Sequence, residues 1–127
     1  MQIVSEILSK SDNSSMLMGD ILRVLSLSFG RLWLSELIME IEGFRSSFGE
    51  VGKVNADDVA DAVDNLERLN VLQTEKRLRS SMLSSSIPDL MVTLLNLSSV
   101  LTIVRNDPRF LQYIRLKDAA FKDLRGK

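Results

Sequence analysis

The sequence contains no cysteine and no histidine, and these two absences exclude several kinds of chemistry. Without cysteine the chain has neither disulfide frameworks nor thiolate metal sites. Without either residue, Ser-His-Asp and Cys-His catalytic sets and ordinary zinc sites are excluded as well. The remaining serines, lysines and carboxylates form no recognisable catalytic set. We therefore expect a protein that is not an enzyme and that uses no metal and no cofactor.

Glycine, proline and aromatic residues are also scarce. The 127 residues include six glycines, two prolines and 6% aromatics, while 45% are hydrophobic. This composition favours one compact, mainly helical domain. The uncharged run from Leu90 to Val104 is fifteen residues long, shorter than the ~20 that span a bilayer. The N-terminus lacks the pattern of a signal peptide, so we expect a cytoplasmic protein with no membrane partner.

The net charge of −1 hides an asymmetry between the two parts of the chain. Residues 1–70 hold six Lys and Arg against twelve Asp and Glu, whereas residues 71–127 hold ten against five. Such a division indicates either one basic face or two oppositely charged surfaces that dock.

Four amphipathic helices are predicted before residue 70. The first covers residues 2–9 within an N-terminal helical extension, residues 1–12. The next two cover Met16 to about Phe29 and Glu36 to about Phe44. The fourth runs from Asn55 to about Leu69, with Asn55 as its N-cap and Asn70 in a left-handed conformation at its end. Its polar positions are nearly all acidic: Asp57, Asp58, Asp61, Asp64 and Glu67, against Arg68 alone.

Two segments resemble the winged-helix regulators of the MarR, PadR and ArsR type. The first is V-x-x-A-V-x-x-L-E-x-L-x-V-L, from Val59 to Leu72, and it is similar to the third helix and the strand that follows. The second is YIRLKDAAFKDL, Tyr113 to Leu124, and it is similar to the return strand and the last helix. The resemblance implies a winged helix-turn-helix over residues 1–127, mainly α with a small β-hairpin (α+β). It also implies DNA binding and, usually, dimerisation.

The two strands of the wing lie further apart in this sequence than in the family, since Ser80 to Arg109 separates them. Either the wing is very long, or a helix is inserted before it. The helical spacing of Ile87 to Leu97 favours a helical insertion at residues 80–98. The wing would then be a hairpin over Val100 to Leu116 that turns at Asn106–Arg109.

The basic residues after position 70 are the candidates for contact with nucleic acid. They would lie on the first wing strand and on the predicted hairpin beside it, where they could contact phosphates. They are Lys76, Arg77, Arg79, Arg105, Arg109, Arg115 and Lys117. The acidic fourth helix would oppose duplex phosphates, so we expect weak or non-specific binding of duplex DNA through the basic wing.

Two functions follow from these patterns, and both remain open. The first is a winged-helix DNA-binding protein that regulates transcription. The alternative is a winged-helix protein–protein interaction module in a replication or transcription assembly, with a protein partner at the acidic face of helix 55–69. A third hypothesis is a regulator that senses a small molecule at a dimer interface.

A homodimer is expected as well, because two apolar stripes lie outside the basic fold. One is on the N-terminal helix and the other on the predicted insertion. Their residues are Ile3, Val4, Ile7, Leu8, Leu90 and Leu94.

Overall fold

A computed structural model of the protein describes residues 2–79 and 87–125. Within these ranges the chain forms six helices and three strands, which confirms the mainly helical α+β class. Their order is α1 Gln2–Ser9, α2 Asn13–Leu27, β1 Arg31–Trp33, α3 Leu34–Ser46, α4 Ala56–Arg68, β2 Leu72–Arg79, β3 Ile87–Leu94, α5 Leu97–Val104 and α6 Pro108–Arg125.

Helix α2 lies at the centre of the core, and α1, α3, α4 and α5 all pack against it. Asp12 is the N-cap of α2: its side chain accepts a hydrogen bond from the Ser15 backbone N–H and so caps the first turn. The residues of α2 from Gly19 to Leu25 are all buried. The observed helix begins at Asn13, about one turn before the predicted start at Met16.

The turn from α2 into β1 depends on Gly30. Its φ is +88°, its N–H donates to the Leu25 carbonyl at 2.7 Å, and its own carbonyl accepts from the Leu94 N–H. A Cβ at this position would lie 2.8 Å from Leu97 Cδ1. Any other residue at position 30 would be strained by the positive φ, and its Cβ would displace the Leu97 side chain of α5.

Helix α4 forms where it is predicted and with the predicted cap. The Asn55 Oδ1 accepts hydrogen bonds from the backbone N–H groups of Asp57 and Asp58, at 2.8 and 3.1 Å. Asn70 ends the helix in the left-handed region, with φ of +61°. The apolar side of α4 is buried and consists of Val59, Ala62, Val63 and Leu66.

Replacing Asn55 with alanine should lower the free energy of unfolding by about 1 kcal/mol, because two N–H groups of α4 lose their acceptor. Urea unfolding followed by circular dichroism measures the loss. Asn65→Ala is the matched control, since Asn65 is exposed in the middle of the same helix. Equal stability of the two variants would contradict the role of the cap.

The three strands form an antiparallel sheet in the order β1-β3-β2. Leu72 pairs with Leu94 at one end of the β2–β3 hairpin and Arg79 with Ile87 at the other, while Leu32 of β1 pairs with Val92. Leu72, Val92 and Leu94 are buried on the face toward the core.

Strand β3 corrects the predicted helical insertion, because residues 87–94 are extended; residues 80–86 lie outside the described part of the chain. β3 carries apolar side chains on both of its faces, with Val92 and Leu94 buried on one face and Met91 half-buried on the other. Leu90 and Met91 are half-buried apolar residues directly before the buried Val92, so the sequence lacks the apolar–polar alternation that marks a strand. A continuous apolar run of this length does not by itself distinguish helix from strand.

The predicted hairpin over Val100–Leu116 is also wrong, because this segment is helical in α5 and α6. Val100 and Val104 are four residues apart and both buried, on the side of α5 that packs against α1 and α2. At the predicted turn, the Asp107 carboxylate accepts a hydrogen bond from the Phe110 N–H, and Pro108 is the first residue of α6. The Asp-Pro pair here begins a helix, because proline is favoured at the first helical position. The predicted last helix, Lys117 to Leu124, is the C-terminal part of α6.

No helix among the described residues combines the length and the apolar character needed to cross a membrane.

Candidate interaction surfaces

Helix α4 presents an acidic surface to solvent. Asp57, Asp61 and Asp64 lie on the side opposite its buried residues, and all three are exposed. They recur at i, i+4 and i+7, so they follow one line along two turns of the helix. Arg68 continues the line and contacts Asp64 at 2.9 Å. We call Asp57, Asp61 and Asp64 the acidic face of α4.

Glu67 is not part of this acidic face, although the sequence places it among the acidic residues of the helix. It is half-buried on the side toward β2. Its carboxylate accepts hydrogen bonds from the Thr74 backbone N–H at 2.8 Å and from the Thr74 hydroxyl at 2.9 Å. Glu67 therefore links α4 to the hairpin. Because Thr74 engages its carboxylate, Glu67 is less accessible to a partner than the three aspartates of the acidic face.

The basic residues of the β2–β3 hairpin are partly neutralised by neighbouring carboxylates. Lys76 and Arg77 are exposed, but Arg77 donates to Glu75 at 2.9 Å and stands opposite Asp89 in the sheet. The hydrogen bond from Arg77 lowers the pKa of the Glu75 carboxyl. The side chain of Arg79 lies outside the described residues. The described side chains of the hairpin therefore carry two positive and two negative charges and no net charge.

The structure does not bring the other predicted DNA-contacting residues to this hairpin. Strand β2 packs against β3 and α4, whereas α5 packs against α1 and α2. Arg105 is exposed at the end of α5, and Arg115 and Lys117 are exposed on α6. The expectation that they enlarge one basic patch beside β2 is therefore wrong, because the segment that carries them is helical and not part of the sheet.

Arg109 has a structural environment that the sequence did not indicate. Its guanidinium donates to both carboxylate oxygens of Asp20, at 2.9 and 3.1 Å, and to both of Glu50, at 2.9 Å each. It also lies over the Phe48 ring, 4.3 Å from the centroid. Burial opposes the charge of Arg109, but the hydrogen bonds to Glu50 and Asp20 outweigh it and raise its pKa. Arg109 is thus removed from the candidate DNA contacts.

Asp20 is the centre of this ion-pair cluster. It is fully buried and accepts hydrogen bonds from Arg23, Arg45 and Arg109. Arg23, only 3% exposed, also donates to Asp107 at 2.7 Å. Burial alone would raise the pKa of Asp20. The hydrogen bonds from Arg109 and Arg45 lower it by a larger amount, so the pKa lies below its ordinary value. We call these residues and Glu50 the Asp20 cluster. It joins α2, α3 and the start of α6.

The signal for this cluster was present in the sequence. Asp20 and Arg23 interrupt an otherwise apolar stretch of α2, three residues apart, and charged residues inside a buried helix are normally paired. Their spacing indicates the contact between them, observed at 2.9 Å. The contacts to Asp107 and Arg109 join residues more than 80 positions apart, and no local pattern predicts those.

A cleft of about 530 Å³ lies between the α1–α2 turn and the α5–α6 corner. Its apolar wall includes Leu8, Met16 and Ile103, and its charged lining includes Arg23 and Arg109. Both arginines already donate to carboxylates of the Asp20 cluster. The cleft therefore gives no specific support to the hypothesis of a small-molecule sensor.

The apolar residues predicted to form a dimer interface belong largely to the chain's own core. Val4 is 0% exposed, Ile7 4% and Leu94 5%. The remaining three are half-buried: Ile3, Leu8 and Leu90. Val4, Ile7 and Leu94 are therefore not available to a second copy, and their assignment to a protein interface is wrong. Ile3, Leu8 and Leu90 remain partly accessible, and their part in an interface stays a prediction.

Comparisons of the chain with protein families, with curated proteins and with solved structures found no match.

Proposed function

We propose that the chain is a winged-helix protein-interaction module that binds a basic segment of a partner protein on the acidic face of α4. The element order supports the winged-helix interpretation: α2, β1, α3 and α4 are followed by the β2–β3 hairpin, and β1 completes the sheet. In that interpretation α3 and α4 are the helix-turn-helix and the hairpin is the wing.

The observation that carries the proposal is the charge of α4. In a helix-turn-helix protein the second helix of the motif enters the major groove of DNA. Here its solvent side presents Asp57, Asp61 and Asp64, and Arg68 is paired with Asp64. A face of this charge would repel phosphates and oppose the counterion release that dominates affinity for DNA. The same face attracts lysine and arginine side chains of a protein.

Neutralising the acidic face tests this proposal. The triple variant Asp57→Asn, Asp61→Asn, Asp64→Asn should bind a Lys/Arg-rich peptide about tenfold more weakly than the wild type, since each exposed pair contributes about 0.2–1 kcal/mol. Fluorescence anisotropy with a labelled peptide at low salt measures the affinity. The matched control removes three exposed carboxylates elsewhere: Glu6→Gln, Glu40→Gln, Asp123→Asn. Equal loss in both triple variants would point to net charge alone and contradict the proposal.

A second candidate function is contact with duplex DNA through the hairpin, and one observation favours it. Lys76 and Arg77 are exposed on a strand of eight residues, and Arg79 ends that strand. A labelled DNA duplex in the same assay distinguishes the two functions. The outcome that favours DNA is a duplex that binds more tightly than the peptide and loses this affinity in the double variant Lys76→Ala, Arg77→Ala. Contact with phosphates would then replace protein docking as the proposed function.

A further inference from the structure

A groove lies between the N-terminal part of α2 and one side of α4. It is a cavity of about 320 Å³, at the lower end of the range for ligand pockets. Its buried part is apolar, because Leu17 is 9% exposed and Ala62 5%. The rest of its lining is polar and consists of Asn13, Ser14, Asp58, Asp61 and Asn65. We call this cavity the α2–α4 groove. Its size suits a single side chain of a partner.

The α2–α4 groove adjoins the acidic face of α4, because Asp61 belongs to both. Asp58 lies three residues before Asp61 and Asn65 four residues after it, so the three side chains follow one line along the helix. Asp57 and Asp64 do not line the groove. The proposed docking surface therefore includes a concave part, bordered by Asp58 and Asp61, beside a convex one.

The two carboxylates of the groove lack a counterion in the described part of the chain. Neither Asp58 nor Asp61 has a side-chain hydrogen bond or an ion pair with any residue in 2–79 or 87–125. Lys53 lines an adjoining cavity together with Asp58, but no ion pair joins the two there. Residues three apart on a helix have Cβ atoms about 5–6 Å from each other, so the two like charges repel. A cation placed between them would relieve this repulsion.

An arginine side chain fits this combination of apolar and acidic lining. Its methylene stem can pack on Leu17 and Ala62 while the guanidinium reaches the carboxylates. A guanidinium presents five N–H donors in a planar fork, whereas a lysine ammonium is a compact point charge. The fork can therefore bridge two carboxylates. Arg109 of this chain does so, since it donates to Asp20 and Glu50 together.

We propose that the basic segment of the partner anchors one arginine side chain in the α2–α4 groove, with its guanidinium between Asp58 and Asp61. This inference rests on the proposed docking function and adds the type of the anchoring residue and its place. Other basic residues of the segment lie along Asp57 and Asp64, where both partners stay in solvent and contribute less.

Two double variants with the same change of charge test the position of the anchor. Asp58→Asn, Asp61→Asn removes both carboxylates of the groove and should weaken binding of a labelled octa-arginine peptide about tenfold. Asp57→Asn, Asp64→Asn removes two carboxylates outside the groove and should weaken binding at most about threefold, since Asp64 is already paired with Arg68. Fluorescence anisotropy at low salt measures both affinities.

Filling the groove tests the cavity without a change of charge. Asn65→Trp places a large ring at the groove and should weaken binding of octa-arginine about as much as the loss of both groove carboxylates. The matched control is Ala60→Trp, since Ala60 is exposed on the other flank of the acidic face and does not line the groove. It should bind as the wild type does, and circular dichroism should show the same helix content in both variants.

Octa-lysine of the same length tests the choice of arginine. The wild type should bind it more weakly than octa-arginine, because an ammonium cannot bridge the two carboxylates as a fork does. The difference between the two peptides should disappear in Asp58→Asn, Asp61→Asn and persist in Asp57→Asn, Asp64→Asn.

The outcomes separate the groove from the docking function itself. Equal losses in the two double variants, with a wild type that binds octa-arginine, would overturn the groove and leave the acidic face of α4 as the docking surface. Unchanged binding by a folded Asn65→Trp variant would do the same, and so would a preference for arginine that survives without Asp58 and Asp61. A wild type that binds neither peptide would overturn the docking function and the groove together.

Discussion

Replacing Asp20 with asparagine should lower the free energy of unfolding by about 3–5 kcal/mol, because it removes one partner from a buried ion pair. Three guanidinium groups donate to the Asp20 carboxylate, and Arg23 is nearly as deeply buried as Asp20 itself. Asparagine has the same size but carries no charge, so the buried arginine charges lose their central counterion. Urea unfolding of wild type and variant measures the difference.

Asp64→Asn is the matched control for this substitution. The Asp64–Arg68 pair has the same 2.9 Å contact as Asp20–Arg23, but both of its side chains are more than half exposed. Its loss should cost at most about 1 kcal/mol. If both variants lost the same small amount of free energy of unfolding, the Asp20 cluster would not be a stabilising element of the fold.

The pH dependence of stability provides a second measurement on the same variant. The pKa of Asp20 in the folded chain lies below its ordinary value of 3.8. The stabilisation from its charge is therefore complete above that value and is lost as the pH falls through the lower folded pKa. Wild type should lose stability on acidification from about pH 5 to about pH 2, and Asp20→Asn should lose less over the same range. An identical acid profile for the two proteins would argue against ionised Asp20 as the cause.

Truncating Ile7 to alanine should lower the free energy of unfolding by about 2–5 kcal/mol, as expected for a large side chain removed from a core. Ile7 is 4% exposed and, with Val4, holds α1 against α2 and α5. The effect should fall on stability, with the sedimenting mass unchanged at concentrations where the variant is folded. Thermal unfolding and sedimentation equilibrium together separate these two effects.

Ser5→Ala is the control on the same helix, since Ser5 is exposed. It should change stability by less than about 0.5 kcal/mol. An Ile7→Ala variant that kept its stability but changed its sedimenting mass would restore the N-terminal helix as a docking surface.

The parts of the fold that follow from local chemistry could be predicted from the sequence. Asn55 caps α4 because its side chain accepts hydrogen bonds from N–H groups two and three residues ahead. Asn70 ends α4 because asparagine tolerates the left-handed region. Both features depend on residues within one helical turn, so no knowledge of the tertiary structure is needed.

The two segments whose conformation differs from the sequence-based prediction, α5 and β3, are segments where tertiary burial decides the conformation. Val100 to Val104 contains β-branched residues that favour a strand, but burial against α1 and α2 stabilises a helix there. In β3, half-buried apolar residues beside the buried ones give an apolar run that imitates helical spacing. In both segments the deciding contacts come from distant parts of the chain.

Of the candidate surfaces, the acidic face of α4 could be predicted from the sequence, whereas the contacts of Arg109 could not. The acidic character of α4 is a property of one helix, and its exposure follows from the buried side of the same helix. The sequence places Arg109 among the candidate DNA contacts because it is basic and lies near other basic residues. Its actual partners, Asp20 and Glu50, are 89 and 59 positions away. The charge of an arginine is visible in a sequence, but whether that charge is already neutralised is not.

The contact between Glu67 and Thr74 has a consequence for the behaviour of the chain in concentrated solution. β2 is an outer strand of the sheet, and the backbone N–H that Thr74 donates to Glu67 points away from β3. Outer strands with such N–H groups can pair with a strand of another molecule, which is a route to aggregation. The Glu67 carboxylate occupies that donor, and the charged side chain of Lys76 stands two residues further along the same edge. Selection for solubility would thus act on Glu67 even though it lies outside the acidic face of α4.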